Sequence, residues 1–521
     1  MNEKNTGEIK YLSFIEGREY VKAGLALLFL AGVMMFALYG LGSGHVNIML
    51  VVAAVIGGYM AMNIGANDVA NNVGPAVGAG ALTLGGAILI AALFESAGAL
   101  LAGGEVVNTV KKGIIDPMAI TSSDTFVWLM MAALLAGAIW LNIATALGAP
   151  VSTTHSIVGG VMGAGIAAAG VDIVNWGKMG AIAASWVISP VMGGLIAAAF
   201  LYLVKRTITY QENMLEAGKK VVPLLSAMMA WAFSTYLILK GLKKIWKVEF
   251  LTAVGLGALI AIAVYFIVRP MIAKAASSLK NDKGGVNQLF TMPLICSAAL
   301  LSFAHGANDV ANAVGPLAAI NDVFASGGIS HKAAIPLWVM MVGAVGIVIG
   351  LALYGPKLIR TVGSEITDLD KSRAFCVAMA AAITVIIASQ LGLPVSSTHI
   401  AVGGIFGVGF LREYLKSNYQ GMVDEIKHHQ DGKPEAITEF ITQFEAAAPE
   451  RKKAMLKEVK KKSNKAHLSK KERKRLKKAY KNELVKRSHF LKIAGAWVIT
   501  VPASAAMAGM LFYMIRGIML P

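Results

Sequence analysis

Two phrases in this chain combine one carboxylate with side-chain amides at the end of a long apolar run. GANDVANNVGP begins at Gly65 and GANDVANAVGP at Gly306, so ten of eleven letters recur 241 residues apart. A carboxylate in an apolar segment is unfavourable unless it has a partner, and such residues mark functional sites. Carboxylate and amide oxygens are the ligands that hard cations take. We therefore predict a cation site built from both phrases, at Asn67, Asp68, Asn71, Asn308, Asp309 and Asn312.

Each phrase ends in a Gly-Pro pair, at Gly74-Pro75 and at Gly315-Pro316. Proline lacks the backbone N–H that a helix uses, so we expect both pairs to interrupt a helix and free carbonyl groups. Broken helices that line a cavity are where membrane transporters place ion sites. The alternative is that these Asn and Asp residues only cap helices at a membrane boundary.

A second phrase pair is typical of a helix beginning. LGAPVSTTHSIVGG (147–160) and LGLPVSSTHIAVGG (391–404) agree at ten of fourteen positions. Proline followed by Ser and Thr favours a helix N-terminus, whose free N–H groups and positive dipole end attract anions. Neither phrase contains Lys or Arg, and neutral donors release an anion more readily than an arginine does. This pattern predicts a site for a tetrahedral oxyanion, with ordinary N-capping as the alternative.

One glutamate and two histidines also lie in the apolar segments, and two lysines follow the segment that contains the glutamate. Glu95 lies within ILIAALFESAGALLAGG, and a glutamate inside a membrane segment indicates function. We therefore interpret it as an additional cation ligand, and it has no counterpart in the second half, which reads VMMVGAVGIVIGLAL at the matching place. His155 and His399 follow the Ser/Thr residues, and we expect their rings to form hydrogen bonds within the core. Lys111 and Lys112 are expected to reach an exposed interface.

These residues must be positioned by membrane helices. The chain has 521 residues, of which 56% are hydrophobic and only 15% charged, which is too apolar for a soluble protein of this length. The runs are continuous, so they predict an all-α polytopic protein of the plasma (inner) membrane and exclude a β-barrel. The segments after Pro150 and Pro394 are Gly-rich, and both full spans and re-entrant half-helices are compatible with them. Thirteen apolar segments are predicted near 21–41, 47–64, 80–104, 125–148, 150–170, 178–204, 221–240, 250–268, 287–305, 333–355, 373–392, 394–411 and 489–515.

The recurring phrases predict an internal duplication. They divide the chain into an N-terminal segment 1–46 with an extra helix, repeats at 47–204 and 287–515, and an inter-repeat region 205–286. Each repeat holds five apolar segments and two more lie between them, so the second repeat should enter the membrane from the opposite side. Two inverted-topology repeats with broken or re-entrant helices meeting near the membrane midplane are typical of secondary transporters.

Charge gives a second indication of orientation. The polar insert 412–489 carries about 22 basic and 11 acidic residues, close to +11 net, and should be cytoplasmic. This orientation puts the N-terminus inside and the C-terminus outside, although the lysine-rich loop 240–249 would then also lie outside. We interpret the insert as a solvated cytoplasmic helix or a disordered loop, with binding to anionic lipid as a secondary alternative. It has few aromatic residues to stack on bases, so nucleic acid is not expected as a partner, and the partner of the apolar segments is the lipid bilayer.

The twin GANDVAN and PVS[ST]TH phrases, together with FESAGALLAGG around Glu95, resemble the inorganic phosphate transporter (PiT) family, solute carrier family 20. The resemblance covers 47–204 and 287–515 and implies a secondary transporter that moves phosphate with a cation. It implies sodium as the metal at the Asn/Asp phrases and assigns the Ser/Thr residues to phosphate and, in part, to sodium. The expected cation ligands are Asn67, Asp68, Asn71, Asn308, Asp309, Asn312, Ser152, Ser396 and Glu95, and the expected phosphate ligands are Thr153, Thr154, Ser397 and Thr398.

Several alternatives stay open. Proton-coupled members of the family carry His before the Asp, so Asn67 and Asn308 favour sodium over protons. A proton-coupled phosphate or metal–phosphate symporter and a carrier of another oxyanion such as sulfate are the alternatives. An intramembrane hydrolase using Ser152 or Ser396 is disfavoured, because no third catalytic residue accompanies the serine and the histidine three positions after it. We expect no enzyme activity and no cofactor beyond Na⁺, with H⁺ as the other candidate coupling ion, and a homo-oligomer is compatible with the sequence.

Overall fold

The structure is a computed structural model, and it describes residues 3–40, 47–120, 122–149, 151–241, 248–329, 335–364, 369–429 and 487–520. Within these ranges the protein is all-α, as predicted, and no β-strand occurs. The helices are α1 Glu3–Met35, α2 Ile48–Asn67, α3 Val69–Gly78, α4 Leu84–Ala102, α5 Gly104–Lys112, α6 Ser123–Ala146, α7 Thr153–Ala169, α8 Trp176–Val204, α9 Met214–Tyr236, α10 Phe250–Ala276, α11 Lys283–Leu289, α12 Thr291–Asp309, α13 Ala311–Ser326, α14 Leu337–Ser364, α15 Lys371–Gln390, α16 Ser397–His429 and α17 Arg487–Met519.

Eleven helices in the described part of the chain are long and apolar enough to cross a membrane. Each of the thirteen predicted apolar segments corresponds to a helix, and the two beyond these eleven are α7 and α16, which follow the PVS[ST]TH prolines. With 17 residues, α7 is about 26 Å long at 1.5 Å per residue, a little less than the hydrocarbon thickness of about 30 Å. The protein is therefore an integral, multi-pass membrane protein.

Local sequence fixes where several helices begin. The side chain of Asn47 accepts hydrogen bonds from the backbone N–H groups of Met49 and Leu50 at the start of α2. Thr83 caps α4 in the same way, and Asp370 caps α15. These oxygens satisfy N–H groups that the first turn of a helix leaves without partners.

The two repeats interlock by exchanging partners. Helix α2 lies against α14, and its counterpart α12 lies against α4. In the same way α7 lies against α17 while α16 lies against α8. Such reciprocal packing is what two related halves arranged around a common axis produce, and it agrees with the predicted duplication. The opposite membrane orientation of the halves and the boundaries at 47–204 and 287–515 stay predictions.

The glycine that opens each GAND phrase allows two of these helices to approach closely. A Cβ added to Gly65 would lie 1.9 Å from the carbonyl oxygen of Ile347 on α14. A Cβ added to Gly306 would lie 2.2 Å from the carbonyl oxygen of Glu95 on α4. Both distances are impossible for a real Cβ, so glycine is required where the backbones meet, as in other membrane helix pairs.

The helix breaks lie at Asp68 and at Val310, the residue after Asp309, and not at the Gly-Pro pairs, which corrects the sequence prediction. Pro75 lies inside α3 and Pro316 inside α13. Helix α2 instead ends immediately before Asp68, whose carbonyl oxygen accepts hydrogen bonds at 3.0 Å from both the backbone N and Nδ2 of Asn71. Because these bonds restart the helix at once, the proline follows the break by about two turns.

Other predicted features lie at the edges of this arrangement. Helix α1 packs against α2 and α14, so the extra N-terminal helix is part of the bundle. Most of the basic insert 412–489 and of the loop 240–249 lies outside the described residues. Their predicted cytoplasmic and external placements therefore stay predictions.

Candidate ion-binding site

The two phrase types meet in the centre of the protein, where each aspartate accepts hydrogen bonds from hydroxyl groups at helix N-termini. Thr153 Oγ1 donates to Asp68 Oδ2 at 2.5 Å, and Thr398 Oγ1 donates to Asp68 Oδ1 at 3.1 Å. Ser397 Oγ donates to Asp309 Oδ2 at 2.7 Å. All five side chains are buried. Residues predicted to hold a cation and residues predicted to hold phosphate are thus in direct contact.

The outer asparagine of each phrase reaches across to the other half. Asn71 Nδ2 donates to Thr398 Oγ1 at 2.9 Å, and Asn312 Nδ2 donates to Thr153 Oγ1 and Thr154 Oγ1 at 3.1 and 3.2 Å. The Oδ1 atoms of Asn71 and Asn312 accept no hydrogen bond from any described residue, although both are buried. Buried carbonyl oxygens without donors are unusual, and a cation can satisfy them.

Asn67 and Asn308 hold their helix breaks in place. Asn67 Nδ2 donates to Thr145 Oγ1 at 2.9 Å, and Asn67 Oδ1 accepts from the backbone N of Val151 at 3.2 Å. The side-chain amide of Asn308 contacts Ser389 Oγ at 3.0 Å in either orientation of the amide. In this structure these two asparagines tie α2 and α12 to the segments that precede α7 and α16.

Ser152 and Ser396 are N-caps. Ser152 Oγ accepts from the backbone N of His155 at 3.1 Å, and Ser396 Oγ accepts from the backbone N of His399 at 3.2 Å. The capping alternative therefore describes both serines in this structure. A cation-binding role for them stays a prediction.

His305 is the main site residue that the sequence analysis missed. Its Nδ1 lies 2.6 Å from Glu95 Oε2 and its Nε2 lies 2.8 Å from Asp309 Oδ2, so the ring bridges the two carboxylates. Asn72 Nδ2 donates to Glu95 Oε1 at 2.8 Å. Glu95, predicted to be an additional cation ligand, is thus connected to the central site through His305. The one signal for His305 in the sequence is its place directly before the second phrase, where the first phrase is preceded by Ile64.

The charged groups converge on a small volume. One potential ligand atom each from Asp68, His305 and Asp309 lies within 4.8 Å of the others, and all three residues are buried. Glu95 adds a third carboxylate behind His305. Because clustered carboxyl groups in a low-dielectric interior need a counter-charge or a proton, three of them against one imidazole are suited to hold a cation.

The two histidines of the PVS[ST]TH phrases meet edge to face in a cluster of aromatic rings and do not match the expected hydrogen-bonding role. Their ring centroids are 4.5 Å apart, and His155 packs on Trp186 at 3.9 Å while His399 packs on Trp497 at 3.7 Å. Trp186 and Trp497 each begin a WVI sequence, one in each repeat. The ring cluster therefore pairs equivalent residues of both halves beside the site.

Lys111 also differs from expectation. It is buried and forms an ion pair with Asp322 of α13. The sequence analysis placed it at an exposed interface, because the acidic partner lies more than 200 residues away in the chain. This ion pair joins α5 to α13.

Helices interrupted at or next to buried aspartates, with the N-termini of two further helices beside them, form an arrangement in which membrane transporters place ion sites. The chain belongs to the Phosphate transporter family, whose profile matches residues 64–508.

Relatives of known name agree with this family. The chain is 52% identical over 523 residues to a protein of Helicobacter pylori (strain J99) named "Putative phosphate permease", with 98% of each chain covered. It is 39% identical over 363 residues to one of the same description from Pyrococcus abyssi, covering 70% of this chain and 89% of the relative. A solved structure described as "The sodium-dependent phosphate transporter" superposes with a TM-score of 0.74 at 31% identity, covering 91% of this chain and all of the other.

Proposed function

We propose that the protein is a symporter that moves inorganic phosphate across the membrane together with sodium. The observation that carries the proposal is the contact between Asp68 and the hydroxyl groups of Thr153 and Thr398. Because residues suited to a cation and residues suited to an anion share hydrogen bonds, the binding of one ion must change the binding of the other. Such linkage is what coupled transport requires.

The ligand atoms available at the site support sodium as the coupling ion. The partnerless Oδ1 atoms of Asn71 and Asn312, together with the carboxylates of Asp68 and Asp309, provide oxygen ligands from both halves. A proton needs one basic atom, whereas a metal cation uses several oxygens at once. The solved relative is described as sodium-dependent, which agrees with this choice.

Phosphate is assigned to the N-termini of α7 and α16. In this structure the hydroxyl groups of Thr153, Ser397 and Thr398 donate to the aspartates. We infer that a bound cation neutralises the carboxylates and lets these hydroxyls turn toward an anion. Thr154, whose hydroxyl donates to the carbonyl of Val395 at 3.0 Å, completes the proposed phosphate set. Cation binding would then prepare the phosphate site.

Uptake of radiolabelled phosphate into proteoliposomes tests the proposal. We expect an inward sodium gradient to drive accumulation that a potassium gradient of equal size does not drive. A proton gradient that drives uptake without sodium would contradict sodium coupling. Excess sulfate should compete weakly, and competition by sulfate equal to that by unlabelled phosphate would contradict selectivity for phosphate.

A further inference from the structure

His305 presents one ring nitrogen that no hydrogen bond occupies. Its side chain is fully buried, and Nε2 has no hydrogen-bond partner among the described residues. Asp309 Oδ2 lies only 2.8 Å from Nε2, but the two atoms are not aligned as a hydrogen bond requires. A buried polar atom in this state needs another kind of partner. A metal ion can be that partner, because a neutral imidazole is a common metal ligand.

The other nitrogen of the same ring is held as in a metal-binding histidine. Nδ1 lies 2.6 Å from Glu95 Oε2, and Asn72 Nδ2 donates to Glu95 Oε1 at 2.8 Å. With its proton on Nδ1, the ring donates to this carboxylate, which leaves the lone pair of Nε2 free. Histidines that bind metals nearly always donate their other N–H to a carboxylate, a carbonyl group or water, which fixes the tautomer.

Two aspartates lie within reach of an ion bound to Nε2. His305 and Asp309 are four residues apart on α12, which places them on one helix face. An ion about 2.1 Å from both Nε2 and Asp309 Oδ2 would have these ligands about 85° apart, close to the right angle between neighbouring ligands of an octahedral metal. One ligand atom of Asp68 lies within 4.8 Å of one from each of the other two residues. Opposite ligands of such an ion are about 4.2 Å apart, so a small inward movement brings all three into one shell.

Ligand type and charge at these three residues favour a divalent transition-metal ion. Hard cations such as sodium take oxygen ligands, whereas imidazole nitrogen suits ions such as Zn²⁺. Two carboxylates and a neutral imidazole carry two negative charges, which one dication balances and one sodium ion does not. The first repeat has Ile64 at the place of His305, so only the second repeat supplies a nitrogen ligand here.

We propose that His305, Asp309 and Asp68 form a site for a divalent transition-metal ion such as Zn²⁺, and that this ion competes with sodium for the two aspartates. The competition rests on the proposed function, in which the same carboxylates bind sodium. Since one carboxylate pair cannot serve both ions at once, bound metal would inhibit sodium-driven phosphate uptake.

Binding of Co²⁺, a coloured substitute for Zn²⁺, tests the site in the purified full-length protein. In phosphate-free buffer with choline chloride, we expect one Co²⁺ per chain whose visible absorption depends on His305. His305→Gln should weaken its binding by about a hundredfold, because the nitrogen ligand is lost. Glu95→Gln should weaken it by about tenfold, because the ring loses its orienting partner. Equal Co²⁺ affinity in the wild type and in folded His305→Gln would overturn the proposal.

A second buried histidine provides the matched control. His399 also has two ring nitrogens without hydrogen-bond partners among the described residues. His399→Gln should keep the wild-type affinity for Co²⁺, and loss of binding there but not in His305→Gln would overturn the proposal. Mg²⁺ has the same charge as Zn²⁺ but prefers oxygen ligands, so Zn²⁺ should displace Co²⁺ at far lower concentration. Equal displacement by both ions would contradict an imidazole ligand.

X-ray absorption at the zinc edge tests the wild-type protein without any substitution, so it also decides the case in which His305→Gln fails to fold. With one Zn²⁺ per chain, we expect nitrogen and oxygen ligands at about 2.0–2.2 Å and the scattering pattern of one imidazole ring. A shell of oxygens alone, a shell with two imidazole rings or a shell containing sulfur would contradict the site.

Competition by sodium tests the link to transport. At constant ionic strength, sodium at about ten times its own dissociation constant should raise the apparent Kd for Co²⁺ by about tenfold relative to choline. A Kd that does not depend on sodium would overturn the shared site. Protein that binds Co²⁺ through His305 but takes up no phosphate under a sodium gradient would contradict the proposed function alone. Protein that takes up phosphate but binds no Co²⁺ through His305 would contradict this inference alone.

Discussion

At the scale of single residues, the site is organised around two buried aspartates with different neighbours. Asp68 accepts hydrogen bonds from two threonine hydroxyls, one from each half. Asp309 accepts one from Ser397 and lies beside His305, which in turn contacts Glu95. The half-sites are thus related in sequence but unequal in charge. His305 contacts Asp309 directly but not Asp68, and we expect Asp68 to bind a cation more directly.

Replacing Asp68 by asparagine should weaken sodium binding. Asp68→Asn keeps the shape but removes the charge, so we expect half-saturating sodium for phosphate uptake to rise by about tenfold or more, equal to about 1.4 kcal/mol. Uptake measured at increasing sodium concentrations gives this value. The exposed Asp172→Asn variant is the control, and equal sodium dependence in both variants would count against the assignment.

His305 should be required for stability because it bridges two buried carboxylates. His305→Ala leaves Glu95 and Asp309 without this partner and should lower the free energy of unfolding by about 3–5 kcal/mol. Thermal unfolding of the purified protein in detergent measures the change. Adding Glu95→Gln should recover part of the loss, since it removes one of the two unpaired charges. A double variant no more stable than His305→Ala would contradict the bridge.

The sequence could predict which phrases form the site but not which residues complete it. Asn71, Asp68 and Thr398 stand in recurring phrases, and repetition marked them before any fold was known. His305 and Asn72 have apolar counterparts, Ile64 and Ala313, so repetition gave no signal for them. Their role depends on packing between α4 and α12, which brings together residues 210 positions apart.

At the scale of helices, close approach at glycine sets the geometry of the site. Gly65 meets Ile347 on α14 and Gly306 meets Glu95 on α4, one helical turn or less before each aspartate. The apolar runs in the sequence predicted the thirteen helices well, because each run is continuous. The prediction that the Gly-Pro pairs break the helices was wrong, because proline within a helix is tolerated where side chains such as Asn71 restart the hydrogen bonding.

Substituting these glycines should separate packing from helix propensity. Gly65→Ala and Gly306→Ala should each destabilise the protein by about 1–3 kcal/mol, because the added methyl group meets a backbone carbonyl. Gly255→Ala on α10 is the matched control, since nothing lies within 4 Å of its added Cβ. Alanine there should leave stability unchanged or raise it by about 0.5–1 kcal/mol. Equal melting temperatures for all three variants would contradict this explanation of the GAND phrases.

At the scale of the whole molecule, exchanged packing makes the site common to both repeats. The broken pair α2–α3 presents Asp68 to both α7 and α16. The pair α12–α13 presents Asp309 to α16 and Asn312 to α7. Neither repeat can form the site alone, which explains why the phrases occur twice.

Movement of the coupling ion itself tests the central claim most directly. In proteoliposomes containing wild-type protein, we expect external phosphate to stimulate the uptake of ²²Na⁺, and external sodium to stimulate the uptake of phosphate. In the Asp68→Asn variant both stimulations should fall together, since one shared site couples the two ions. Phosphate uptake that proceeds in the wild-type protein with no phosphate-stimulated ²²Na⁺ entry would contradict a sodium-coupled symporter.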